Sequence, residues 1–171
     1  MSKAFTKESE NNQDLLPAAK RAALLPPGTK NYITARGEKT FRAELDRLLT
    51  MERPALLAEI LNDPDSKRHL QILNQRIEQL QQCLHSAEVV TPPEKPDPQV
   101  RFGSTVTIRE GTGPNIIYRI VGVDEIDIDK GWISWISPIA RALMHAKAGQ
   151  RVRFKTPSGE KELEVVAVGH E

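Results

Sequence analysis

Residues 67–84, KRHLQILNQRIEQLQQCL, decide how the first half of this chain folds. Leu70, Leu73, Ile77, Leu80 and Leu84 alternate at spacings of three and four, the seam of a heptad repeat, which puts them on one face of a helix. Working outward, residues 34–88 hold no glycine beyond Gly37 and are rich in Leu, Glu, Gln and Arg, which suit helices. A second, less regular stripe of Phe41, Leu45, Leu48/Leu49, Leu56 and Ile60 lies upstream. Between the two stripes, NDPDS reads as a tight turn. Asp63 is placed to cap the second helix, and Pro64 falls at its first position, where a missing N–H costs nothing. Thr34 is the matching cap of the first helix. The pattern predicts an antiparallel two-helix hairpin within residues 31–90. Arms of about 25 residues would reach roughly 35–40 Å, with a local kink at Pro54. Such a hairpin buries one face and leaves the rest exposed, as a probe does.

The flanks read differently. Residues 1–30 carry too little periodic apolar surface to offset ordering entropy and are expected to form a flexible tail. Residues 91–99, TPPEKPDPQ, hold four prolines and read as an extended linker. From residue 100 to 171 the texture turns to β-branched residues punctuated by Gly and Pro. Strands are expected near 104–110, 116–124, 132–136, 151–156 and 161–168, with Ser137 capping a short helix that starts at Pro138. In RVRFKT, Val152 and Phe154 should face a core and Arg151, Arg153 and Lys155 the solvent. The fold class is therefore α+β: a helical hairpin followed by a module of about five antiparallel strands and one helix.

Composition narrows the function. Lys+Arg 24 against Asp+Glu 23 leaves a formal charge of +1, without the lopsided field of a nucleic-acid coat or a polybasic membrane binder. The single cysteine, Cys83, excludes an internal disulfide and a cysteine-cluster zinc site. No apolar run approaches the roughly 20 residues that span a bilayer, so no membrane partner is expected. The opening MSKAFTKESENNQD lacks an apolar signal core, which makes the cytoplasm the expected compartment.

Several stretches together resemble the GreA/GreB family of transcript cleavage factors, the GreB branch more closely. They are NYITARGEKTFRAELDRL with ERP after it, KRHLQILNQRIEQLQQCL, FGSTVTI, YRIVGVDEIDIDKGWISWISPIARAL and TPSGEKELEVVAV. The likeness runs over residues 31–171 nearly end to end. It implies a coiled-coil hairpin and a C-terminal domain of the FKBP-like fold. It also implies RNA polymerase as the partner, bound at the rim of its secondary channel while the hairpin reaches toward the active centre and backtracked RNA. A monomer with no cofactor of its own is expected.

One departure from the family is large. The family's hairpin tip carries Gly-Asp-x-x-Glu-Asn, whose carboxylates help hold the polymerase's second catalytic Mg²⁺ and its attacking water. Here Ile60-Leu61-Asn62 runs into Asp63-Pro64-Asp65-Ser66-Lys67, and the motif occurs nowhere in the chain. About a dozen tip residues are missing, and six fewer per arm would shorten the probe by roughly 9 Å.

Asp63 and Asp65 are the candidate replacement carboxylates, suited as hard oxygen ligands to the polymerase's Mg²⁺. Capping and complementing the helix dipole is the favoured reading of both. By the resemblance, Ser137, Pro138, Ile139, Ala140 and Arg141 belong to the surface that docks on polymerase. His69 reads as solvated and Cys83 as unreactive, with nothing basic beside it in sequence to lower its pKa. The acidic connection Asp124, Glu125, Asp127 and Asp129 reads as a solvated turn. Arg36, Lys39, Arg42, Arg47 and Arg53 read mainly as helix-surface ion-pair partners, with contact to nucleic acid or polymerase as the lesser reading. The functional expectation is an elongation regulator, not an enzyme, in which stimulation of RNA cleavage is lost or weak. The alternatives are a pure channel occupant that competes with true cleavage factors, and an FKBP-like peptidyl-prolyl isomerase. The last would need an aromatic pocket from a chain with Phe 4, Trp 2 and Tyr 2.

Overall fold

A computed structural model describes residues 25–60, 65–95 and 97–170. Asp63, Pro64 and most of the expected tail lie outside the described residues. Strand β1 (Asn31–Thr34) leads into helix α1 (Ala35–Arg47), a π-helical turn (Leu48–Glu52) and helix α2 (Arg53–Glu59). Helix α3 (Asp65–Ser86) returns and ends in strand β2 (Ala87–Val90). Thr34 caps α1 as expected, its side chain accepting from the Gly37 N–H. The kink foreseen at Pro54 takes another form. The π turn gives the Arg53 N–H the Leu48 carbonyl, so the helix is already locally rewound where proline offers no donor.

The heptad seam does what its spacing requires. Leu73, Ile77 and Leu80 are buried with Leu48, and Phe41, Leu45 and Leu56 pack around them. Leu70 and Leu84 lie half-buried at the two ends of the seam. Arg76 donates two hydrogen bonds to the Glu44 carboxylate, at 2.7 and 2.9 Å, and Arg53 reaches Asn74 at 3.0 Å, locking the antiparallel arms in register.

Beyond the linker lie β3 (Ser104–Arg109), β4 (Asn115–Val121), β5 (Trp132–Ser134), α4 (Pro138–Leu143), β6 (Arg151–Thr156) and β7 (Gly159–His170). They form one five-stranded sheet in the order β5-β4-β3-β7-β6. Its pairs are antiparallel except β4–β5, which run parallel, so the expectation of an all-antiparallel sheet is corrected. The connection from Gly122 to Gly131 carries the chain back to start β5 in the same direction as β4. Ala140 and Leu143 of α4 close the core over Val100, Val106, Ile108, Ile120, Leu163 and Val165. On β6 the expected alternation holds, with Val152 and Phe154 turned inward and the three basic residues exposed.

A small second sheet was not foreseen. β1 and β2 pair in parallel, Asn31 opposite Ala87 through Thr34 opposite Val90. The helices they flank run antiparallel, so the chain must reverse direction at one of the two junctions, Thr34–Ala35 or Ser86–Ala87. That reversal ties the base of the hairpin together.

Candidate functional site

Of the two candidate tip carboxylates, Asp65 lies within the described residues, exposed in the first turn of α3, where a carboxylate complements the positive helix end. Among the described residues, no group of three or more His, Cys, Asp and Glu side chains could hold a metal ion. His69 is exposed one turn further on, beside Leu73 and Arg76 along the groove between the arms. Cys83 is buried near the C-terminal end of α3, at the hairpin base.

The expected docking segment divides by burial. Ser137 is the N-cap of α4 and accepts from the Ala140 N–H at 3.3 Å. Pro138 and Arg141 are exposed, and Ile139 is half-buried against the sheet core. Ala140 is 0% exposed, which corrects its expected role as a contact: it seats the helix on the sheet, and the face available to a partner comes from its neighbours.

On β5 the half-buried Trp132 is surrounded by cations, of which Arg119 is itself buried. The Trp132 ring has Arg36 and Arg119 each 5.5 Å from its centroid and Lys130 at 5.2 Å. A hydrogen bond from the Lys130 side chain holds Asp127 below the ordinary carboxylate range. At the linker, the Gln99 N–H and then Arg101 do the same for Asp97. Of the basic helix residues, Arg42 pairs with Glu38 and Arg47 with Glu52, which bears out the ion-pair reading for those two. Tyr32 packs on Phe102 and edge-on to Trp135, and Tyr118 and Phe154 pack on the sheet core.

The acidic connection is where the sequence reading fails most. Glu125 is not solvated; it is 7% exposed, and its carboxylate accepts from the Thr34 N–H at 2.8 Å, the Gly122 N–H at 3.0 Å and the Thr34 hydroxyl. A buried carboxylate with three donors, close to a helix N-terminus, is well compensated. It joins the base of the hairpin to the sheet. Glycines make the room: a Cβ on Gly37 would lie 2.0 Å from the Glu125 Oε1, and one on Gly122 would lie 2.2 Å from the Tyr32 carbonyl oxygen. Two glycines and a threonine set against one glutamate was the available signal, but nothing local in VGVDEIDIDKG announces the pairing.

Residues 95–170 match the family model described as "Transcription elongation factor, GreA/GreB, C-term". Transcription elongation factor GreB of Neisseria meningitidis (serogroup A) is 38% identical over 154 residues, covering 82% of this chain and 94% of the relative. Transcription elongation factor GreA of Alkalilimnicola ehrlichii is 37% identical over 154 residues, covering 82% and 98%. In the GreB comparison, 82% of 171 residues is about 140 set against 154 aligned positions, so about 14 positions have no counterpart in this chain. Among solved structures, the Gfh1 protein of Thermus thermophilus (22% identity, TM-score 0.38) covers 82% of this chain and 99% of its own. A GreA/GreB factor from Nitrosomonas europaea (22% identity, TM-score 0.40) covers 83% and 99%.

Proposed function

The chain belongs to the GreA/GreB family of transcription elongation factors, and from that premise we propose that it binds RNA polymerase at the secondary channel as a blunt-tipped regulator. The sheet docks at the channel rim through the start of α4, and the hairpin enters the channel. The protein is not itself an enzyme and acts where polymerase acts, in the cytoplasm. The observation that carries this reading is the tip: α2 ends at Glu59 and α3 begins at Asp65, with no Gly-Asp-x-x-Glu-Asn between them. From Ala35 to Glu59 the ascending arm has 25 residues, about 37 Å at 1.5 Å each. An arm roughly 9 Å shorter than one with six more residues occupies the channel without bringing a carboxylate pair to the polymerase's metals.

Docking is tested by charge reversal at Arg141, the exposed charged residue on α4. Arg141→Glu should weaken binding to purified polymerase about tenfold, mostly as slower association at low salt, because rim charges steer encounter. A labelled-protein binding titration reads this directly. Unchanged affinity would remove α4 from the interface.

A further inference from the structure

We propose that Glu125 is a positioning residue, whose buried carboxylate sets the direction in which the hairpin leaves the sheet and so aims the tip once the sheet has docked. The inference rests on the polymerase-binding reading above. Covalently, β2 joins the sheet through residues 91–99, a proline-rich, semi-rigid spacer held at its far end by the bridge of Gln99 to Lys147. The angle is held at the hairpin base, where Asn31 donates to Asp124 at 3.4 Å, Arg36 lies over the Trp132 ring, and Thr34 joins β1 to α1. There Oε2 of Glu125 takes the Thr34 and Gly122 N–H groups and Oε1 takes the Thr34 hydroxyl, which itself accepts from the Gly37 N–H at 2.9 Å. One carboxylate thus spans the first turn of the hairpin and the connection between β4 and β5.

Close approach of the backbones is built in. The space that a Cβ on Gly37 would fill is occupied by the Glu125 carboxylate, and the Tyr32 carbonyl occupies that of Gly122. Tyr32 also sits edge-on to Trp135 with centroids 5.2 Å apart, giving the joint a second, apolar point of contact. Leverage makes the joint matter: over an arm of about 37 Å, a tilt of about 10° moves the tip by about 6 Å. A hairpin free to sample a cone is competent for channel insertion only in the fraction of conformers that point inward, and its apparent potency falls by that fraction. Docking through α4 needs no such alignment.

The test uses the full chain with Cys83→Ala, carrying spin labels at Gln71→Cys on α3 and Lys155→Cys on β6, both exposed positions. Pulsed EPR should give one narrow distance for this parent and for Glu125→Gln, whose amide keeps an oxygen for the two N–H groups and donates to the second lone pair of the Thr34 hydroxyl. Glu125→Ala and Gly37→Ala should both give broad distributions. On polymerase, those two variants should still displace a cleavage factor within about threefold of the parent, while their slowing of nucleotide addition falls about tenfold; Glu125→Gln should restore it. Gly37→Ala is the safeguard if Glu125→Ala fails to fold, since alanine favours a helix and disturbs only the joint. A narrow distance persisting in the foldable variants overturns the proposal, as does loss of displacement and slowing in equal proportion. If the parent itself does not bind polymerase, the functional reading fails while the distances still decide the joint.

Discussion

Leu80→Ala should be the most damaging single truncation in the hairpin, costing about 3 kcal/mol of unfolding free energy. Leu80 is 1% exposed, the most deeply buried position of the seam, in the same cluster as Leu48, Leu73 and Ile77. Truncation there loses the transfer energy of the removed carbons and leaves a cavity that helix walls fill poorly. At roughly 2–4 °C per kcal/mol for a chain of this size, the midpoint of a reversible thermal melt should fall by about 6–12 °C. Leu70→Ala and Leu84→Ala, at half-buried ends of the same seam, should cost about 1 kcal/mol each. A flat response along the seam would mean that the arms are not held by this stripe.

The second large effect is on other factors. Saturating amounts of this protein should reduce, by about tenfold or more, the RNA release stimulated by a family member with the complete acidic tip, because both need the same channel and only one fits. On the proposed reading, docking uses the sheet and α4, whereas chemistry needs the Gly-Asp-x-x-Glu-Asn tip, a motif this chain lacks. Fragment yield measured against rising concentration of this protein, at fixed cleavage factor, checks it. Yield that stays constant at saturation would show that the two do not share a site.

The helical half was legible because its signals are local. The 3-4 spacing and the Thr34 cap each act within a few residues, and periodicity reports burial directly when one face is buried. The module after residue 100 was legible in its elements and less so in its pairing. WIS is too short to declare a direction, and its parallel alignment with β4 follows from the path of the preceding loop. NYIT and AEVV were missed as strands because each has four residues and pairs only when the folded hairpin brings its own ends together.

Glu125 was misread for the same reason in a sharper form. In DEIDID it looks like its neighbours, and only the tertiary approach of Thr34 and Gly37 converts it from a surface acid into a buried acceptor. Burial of a charge is a property of the assembly, not of a window of sequence. Ala140 was misplaced by the opposite route: a contiguous motif suggested a contiguous surface, whereas a short helix on a sheet turns one residue of the five wholly inward.

The most direct test is RNA release from a stalled, backtracked elongation complex, with and without this protein, at matched Mg²⁺. The expected result is binding to polymerase with 3′ fragments at the level of polymerase alone, unchanged when Asp63 and Asp65 are both replaced by alanine. Fragment release stimulated by the protein and lost in the Asp63→Ala, Asp65→Ala double variant would contradict it, and would make the short tip a rebuilt metal-handling end.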